Sequence, residues 1–333
     1  MILLTGGAGY IGSHVALELL KKGYDVVIID NFSNSNPKVL KNIEKISNKC
    51  PLFFEGDVRD QSLLEQIFTK HDIEAVIHFA GLKAVGESVI NPIAYYDVNV
   101  AGTLSLLKAM QKHNVKTFVF SSSATVYAPS KENPFTESDT ISPYNPYGFS
   151  KFMVEQILSD FAVSDKEARV TSLRYFNPIG ADSSGLLGEQ PKGIPNNLMP
   201  YILKVAKGEL KELSVFGNDY PTKDGTGVRD YIHVSDLALA HIAALDFLKN
   251  NDGNHFFNIG TGHGYSVFDI INGFEEVSGI KIPYKIAPRR PGDIAISYAD
   301  PALAEKILKW KATKNIKDMC QDAWKFASNM ENS

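Results

Sequence analysis

The chain has 333 residues, of which 44% are apolar and 22% charged, with a net charge of −4. That is enough apolar material for a sizeable core in two lobes, and the acidic balance lacks the basic footprint of a nucleic-acid binder. No apolar run approaches the ~20 residues of a membrane span, and the chain opens directly on a strand pattern where a signal peptide would stand. Its two cysteines, Cys50 and Cys320, are far apart and lack metal-ligand spacing. The expectation is a cytoplasmic protein from a reducing compartment.

Ile2 to Thr5 reads as a short buried strand, followed at once by G-G-A-G-Y-I-G-S-H and an apolar helix over Val15 to Leu20. Gly23 ends that helix, and a second strand, Val26 to Ile29, closes on Asp30. This is the length and order of a dinucleotide-binding βαβ unit. Gly6, Gly9 and Gly12 permit the tight turn, the close approach of backbone to pyrophosphate and the close helix–strand packing. The helix N-terminus would receive the phosphates. Asp30 would accept hydrogen bonds from the adenine ribose and repel a 2′-phosphate, which favours NAD over NADP.

Buried strands then alternate with helices: Leu52 to Glu55, Leu63 to Phe68 (helical), Ala75 to Phe79, a long helix Ile93 to His113, and Thr117 to Phe120. That alternation predicts an α/β fold of the Rossmann type, a doubly wound parallel sheet with ligands beyond the strand ends. Gly6, Asp30, Asp57, Ala80 and Ser121 to Ser123 all fall at those ends.

The stretch S-P-Y-N-P-Y-G-F-S-K, Ser142 to Lys151, starts the next helix, with Asn145 as N-cap and Pro146 at its first position. Tyr147 and Lys151 then share one helix face. On its own this spacing also occurs on ordinary surface helices. As an acid/base pair it would require a phenol with a pKa moved from about 10 to about 7, roughly 4 kcal/mol of preference for the phenolate. One cation about 6 Å away supplies roughly 3 kcal/mol at an effective dielectric of about 20. An oxidised nicotinamide would supply the rest.

Val170 to Leu173 is a further strand running into R-Y-F-N-P, after which Gly, Pro and Asn become frequent. Residues 1–178 are expected to form the NAD-binding domain and 179–333 a smaller C-terminal substrate-binding α/β lobe. A segment near 230–260, including the strand Phe256 to Ile259, returns to the first. Arg229 and Arg290 offer planar forks that suit phosphate oxygens. The eight histidines show no clustered ligand pattern, so no metal is expected, and His14, His78 and His233 read as structural.

The glycine loop, Asp30, the serine cluster and Tyr147–Lys151 together resemble the extended short-chain dehydrogenase/reductase family. Longer runs, including H-F-A-G-L-K-A-V-G-E-S, S-S-S-A-T-V-Y, G-I-P-N-N-L-M-P-Y and G-N-D-Y-P-T-K-D-G-T-G-V-R-D-Y-I-H-V, resemble its branch of UDP-hexose 4-epimerases over almost the whole chain. The resemblance implies a tightly held NAD that is reduced and reoxidised in each cycle, acting on UDP-glucose and UDP-galactose. Tyr147 would be the base and then the acid, Ser123 would bond the reacting oxygen, and Lys151 would lower the phenol pKa and bind the nicotinamide ribose.

Cofactor contacts implied by the resemblance are Tyr10, Ile11, Asp30, Asn31, Asn34, Ser35, Asp57, Val58, Phe79, Ala80, Gly81, Lys83, Asn99, Ser121, Tyr147, Lys151, Tyr175 and Phe176. Asn99 has the alternative role of bracing neighbouring strands. Implied UDP-sugar contacts are Lys83, Ser123, Tyr147, Asn177, Asn197, Leu198, Phe216, Arg229, Arg290, Asp293 and Ser297. The arginines would hold the diphosphate and Asp293 the uridine ribose. Ser297 aligns with the position beside the sugar's C2, where a small residue leaves room for the N-acetyl group of UDP-GlcNAc and UDP-GalNAc. A shift of one residue would put Tyr298 there and reverse that expectation. A homodimer through the two long helices is also implied. A 4,6-dehydratase would carry Asp-Glu where this chain has Ala124 and Thr125, and a non-catalytic NAD-binding protein could dispense with Tyr147, Lys151 and Ser123. A UDP-glucuronate decarboxylase or epimerase stays open.

Overall fold

A computed structural model describes residues 1–129, 133–193, 195, 197–290 and 292–330. Ile194 and Asn196 of the G-I-P-N-N run and Pro291 of A-P-R-R-P-G-D lie outside these.

The first half builds β1 (Ile2–Thr5), α1 (Tyr10–Lys21), β2 (Val26–Asp30), α2 (Lys38–Ser47), β3 (Leu52–Glu55), α3 (Gln61–Lys70) and β4 (Ala75–His78). It continues through α4 (Val85–Ile90), α5 (Pro92–Tyr95), a π-helical turn Tyr96–Ala101, α6 (Gly102–Lys112), β5 (Thr117–Ser123), α7 (Pro146–Ser164) and β6 (Arg169–Tyr175). The second half contributes β7 (Asn177–Ile179), α8 (Leu198–Ala206), β8 (Leu213–Phe216), β9 (Val228–His233), α9 (Val234–Leu248) and β10 (Gly253–Ile259). It closes with β11 (Gly264–Ser266), α10 (Val267–Ser278), β12 (Tyr284–Ala287), β13 (Ile296–Ser297), α11 (Ala302–Leu308) and α12 (Ile316–Asn329).

Seven parallel strands run in the order β10-β6-β5-β4-β1-β2-β3. Continuous apolar runs such as Val26–Ile29 are what burial on both faces demands. One face packs Val15, Leu19, Leu237 and Leu245 of α1 and α9 against Ile28, Ile77 and Val119. The other packs Leu64, Leu106, Met110, Val154 and Leu158 of α3, α6 and α7 against Val27, Val76 and Phe118. The expected return of the chain is β10, which pairs with β6 from Gly253↔Arg169 to Ile259↔Tyr175. A separate core joins Ile179, Met199, Ile202, Val215, Ile270, Phe274 and Met319 in the second half. There β11, β9 and β13 form a sheet, with β7 also paired to β9. Among the described residues, no helix is long and apolar enough to cross a membrane.

Strand order reverses at β1, whose neighbours are β2 on one side and β4 on the other. A crevice opens beyond the carboxyl ends at such a point. The two loops there meet closely: a Cβ on Gly6, which has φ +69°, would lie 2.7 Å from the Ala80 nitrogen.

One expected element differs. The long helix Ile93 to His113 is divided by the π-helical turn, which turns Asn99 inward. Asn99 Oδ1 accepts from Leu82 N at 2.7 Å, while its Nδ2 donates to Leu82 O at 3.1 Å and Ser150 Oγ at 2.9 Å. The wider turn exchanges regular helical spacing for a brace between the loop after β4 and helix α7.

A Cβ on Gly12 would lie 2.4 Å from Gly6 O and 2.8 Å from Gly7 Cα, both backbone atoms. Gly12→Ala is therefore expected to push α1 off the glycine turn, lowering the thermal midpoint by several degrees and cutting retained NAD at least tenfold. Thermal unfolding and cofactor content of the purified variant check this.

Candidate active site

The carboxyl ends of six of the seven strands and the second-half loops enclose one continuous cavity of about 1050 Å³. Its lining includes the expected Gly6, Gly9, Tyr10, Ile11, Gly12, Asp30, Asn31, Asn34, Ser35, Asp57, Val58, Phe79, Ala80, Gly81 and Lys83. Ser121, Ser123, Tyr147, Lys151, Tyr175, Phe176, Asn177, Asn197, Phe216, Arg229, Arg290, Asp293 and Ser297 line it as well. Two expected contacts do not. Asn99 is spent on the brace described above, and Leu198 starts α8 and packs against the second-half core.

At the glycine end, Gly9 is the N-cap of α1 and supplies no side-chain cap, so free N–H groups of the first helical turn face the cavity. Asp30 is 8% exposed and fixed in place. Its Oδ2 accepts from Ala8 N at 3.0 Å, and its Oδ1 accepts from Phe32 N and Ser35 Oγ, both at 2.9 Å. Asp57 accepts from Asn31 Nδ2 at 3.2 Å and pairs with Arg59, which holds its carboxyl down at about 2. Arg59 also pairs with Asp97, so its charge is shared between two carboxylates. A glycine cradle, open helix N–H groups and a fixed carboxylate at the end of β2 together fit a dinucleotide without a 2′-phosphate.

The reactive centre lies on β5 and α7. Asn145 caps α7 as its sequence predicts, accepting from Gly148 N at 2.9 Å. Lys151 is 6% exposed and donates to Ser121 O at 2.7 Å; its Nζ lies 5.9 Å from the centre of the Tyr147 ring. The Tyr147 ring packs edge-on to Tyr95. Burial lowers the Lys151 ammonium to about 8, against the opposing charge of Glu155, so it stays largely protonated at pH 7.

Tyr147 departs from expectation. Burial raises its pKa above the ordinary value, and the nearby Ser123 hydroxyl opposes that only in part. Desolvation dominates, because burial penalises the charged form itself. The chain alone therefore holds a neutral phenol beside a hydroxyl and an ammonium. A further positive charge is needed to make it a base at neutral pH.

The far end of the cavity is held by charge. Asp293 lies between the arginines, accepting from Arg229 Nη2 at 2.8 Å and from Arg290 Nε and Nη2 at 3.1 and 3.0 Å. Arg290 also lies over the Phe216 ring, 5.3 Å from its centre. Ser297 pairs with Arg229 across β13 and β9 and lines the cavity. Tyr298 instead packs toward Gly264 of β11, where an added Cβ would stand 3.4 Å from its ring. Strand alternation thus gives the cavity the small residue.

Sequence reasoning missed Glu189. It pairs with Lys83 at 3.0 Å and accepts from Asn197 Nδ2 at 2.7 Å, inside the cavity. Nearby, Lys192 N donates to Asn34 Oδ1 at 3.0 Å, so this loop lies across the glycine end. A lone acid in an irregular loop carries no spacing signal. Tyr144, which also lines the cavity, sits two residues before Pro146 and could have been found from its place in the capping stretch. His78 bonds Thr5 Oγ1 and Thr103 Oγ1, and His233 caps α9 through Ser235 N.

A parallel sheet with a glycine turn at its switch point, a serine at the end of β5, and a tyrosine and lysine on α7 defines a dinucleotide-dependent enzyme acting at a hydroxyl-bearing carbon. The family model described as GDP-mannose 4,6 dehydratase matches residues 3–323. The chain is 54% identical over 331 residues to the UDP-glucose 4-epimerase of Bacillus subtilis, covering 99% of this chain and 98% of that one. It is similar to the crystal structure of UDP-glucose 4-epimerase from Stenotrophomonas maltophila with bound NAD and formylated UDP-arabinopyranose. There the TM-score is 0.97 at 49% identity, covering 99% and 98% of the two chains. For the Bifidobacterium longum enzyme in complex with NAD+ and UDP, the TM-score is 0.96 at 55% identity, with 99% of both chains covered. The chain belongs to the extended short-chain dehydrogenase/reductase family and, within it, to the UDP-glucose 4-epimerases.

Proposed function

We propose that this chain interconverts UDP-glucose and UDP-galactose by inverting C4 of the hexose, and that it also turns over UDP-GlcNAc and UDP-GalNAc. The observation carrying this is the continuity of the cavity. The glycine cradle and the arginine–Asp293 cluster open into the same space, with Ser123 and Tyr147 lining it. NAD, when bound, supplies an electron-pair acceptor and donor for the sugar carbon and the positive charge that the buried phenol lacks. Tyr147, as phenolate, takes the proton of the 4-hydroxyl and later returns it to the 4-keto oxygen when the sugar presents its other face. Ser123 donates a hydrogen bond to that oxygen, and Lys151 keeps a positive charge near both. Acid and base duty within one turnover is best served by a phenol pKa near the working pH.

Arg229 and Arg290 hold the diphosphate while keeping Asp293 between them. Its carboxylate oxygens have lone pairs beyond those the arginines use, which suits a ribose hydroxyl. Residues 1–178, with the 230–260 return, hold the dinucleotide, and residues 179–333 the UDP-sugar. Ala124 and Thr125 line the cavity where a 4,6-dehydratase needs carboxyl groups, and Thr125 Oγ1 bonds Ser123 Oγ at 2.9 Å. This counts against elimination of water.

A homodimer is part of this reading. Ile90, Ile93, Phe149 and Met153 on α4, α5 and α7 are exposed, Ile90 and Ile93 by 86% and 75%. Apolar exposure concentrated on neighbouring helices suits a partner.

Purified protein incubated with UDP-galactose, without added NAD, is expected to yield UDP-glucose; no turnover with NAD retained would overturn the reading in favour of a binding protein. Tyr147→Phe should lower kcat by at least a thousandfold while retaining NAD, measured by coupled assay and cofactor release. Ser297→Tyr is expected to remove activity on the N-acetylated pair and leave the plain pair within a few-fold. Equal loss on both pairs would refute the role given to Ser297. Ile93→Asp with Met153→Asp should halve the mass seen by sedimentation equilibrium.

A further inference from the structure

Behind the reactive centre lies a buried charge network that the reaction does not use directly. Glu155 sits one helical turn beyond Lys151 on the same face of α7, 3% exposed. It accepts from Arg174 Nε at 3.0 Å and Nη2 at 2.8 Å, and from Ser122 Oγ at 2.5 Å. Arg174, on β6, is 4% exposed. Its Nη1 donates to Tyr127 OH at 3.0 Å and Glu137 O at 3.3 Å, and its guanidinium lies between the Tyr127 and Phe256 rings. Ser122 stands between Ser121, whose carbonyl holds Lys151, and Ser123, whose hydroxyl acts on the Tyr147 phenol.

Arg174 faces two carboxylates, bonding Glu155 and acting through its charge on Glu137, whereas no carboxylate bonds the Lys151 ammonium. Arg174 has the bidentate geometry, and the Lys151 ammonium donates to a neutral carbonyl instead. A buried cation without its own anion raises the value of any negative charge that forms nearby. That charge is the Tyr147 phenolate. We propose that Arg174 and Glu155 are positioning residues for the proton transfer, with Arg174 occupying Glu155 so that the Lys151 charge remains available to Tyr147. Ser122 ties this pair to the strand end that carries both reacting contacts.

The other groups around Tyr147 and Lys151 leave this balance in place. Tyr95 hydrogen-bonds Glu87 from α4, Tyr175 bonds His241, and burial and the Lys151 charge keep His78 neutral. On the π-helical turn Asp97 is paired with Arg59, and the Glu137 carboxylate takes Asn258 N.

The inference rests on the proposed epimerase reading, and opposing charge changes test it. Arg174→Met frees Glu155 to neutralise Lys151, so the acid limb of kcat should move up by about one pH unit, the size expected for one charge about 10 Å away. Glu155→Gln keeps the shape and removes the anion, so the same limb should move down. The double variant removes a neutral pair and should return the limb to within a few tenths of wild type. A tyrosinate difference titration of the NAD-loaded protein, referenced to Tyr147→Phe, should show the same three shifts without turnover. Lower kcat in all three variants with unmoved limbs and titrations would overturn the inference and leave a purely structural pair. If Arg174→Met does not fold, the downward shift of Glu155→Gln and its reversal in the double variant decide. Absence of epimerase activity in the wild type would instead sink the underlying reading, with the titration still reporting on the pair.

Discussion

A buried ammonium that donates to a carbonyl rather than a carboxylate is the constraint on which the site depends. Lys151 gives up water, and burial moves its pKa down to about 8. It stays charged because Ser121 O lies within 2.7 Å and Glu155 adds its field from one turn away. If Lys151 had a carboxylate partner of its own, its charge would be spent there. If it were exposed, water would screen it. The burial that keeps water from screening the cation penalises both the ammonium and the phenolate it is meant to favour, and Tyr147 is raised in the chain by itself. On the proposed mechanism, a further positive charge entering the cavity turns this phenol into a base at neutral pH, which ties the chemistry to occupancy by the dinucleotide.

The sheet makes that arrangement possible. Parallel strands bring every carboxyl end to one edge, and the reversal of order at β1 opens the crevice. β5 and β6 pair in register from Thr117↔Arg169 to Ser123↔Tyr175, which sets the serine cluster beside Arg174 and Tyr175. Helix α7 enters over this edge because Pro146 and the Asn145 cap fix where its first turn begins. The second half closes the cavity with β9 and β13, and their pairing carries Arg229 and Ser297 side by side.

Much of the fold was legible because buried parallel strands and helices write distinct patterns. Val26–Ile29 and Ala75–Ile77 are apolar throughout, and the glycine turn has fixed spacing. The π-helical turn was not legible: the run from Ile93 keeps helical periodicity, and what widens it is the demand of Leu82 and Ser150 for Asn99. Glu189 was not legible either, since its partner Lys83 comes from a distant loop and its other partner, Asn197, from the irregular stretch that follows it. Leu198 reads equally well as a contact or a core residue, and only packing against the second-half core separates the two.

By itself the sequence determined the chemistry: a glycine cradle, a terminal acid, a hydroxyl and a tyrosine–lysine pair are encoded locally, within single turns and strand ends. Tertiary structure decided the electrostatics and the shape. Whether the Tyr147 phenol is buried and raised, which carboxylate Arg174 claims, and whether Ser297 or Tyr298 lines the cavity all depend on distance and burial between segments remote in the chain. Charge interactions and side-chain direction are set by three-dimensional neighbours, and no local pattern of residues records them.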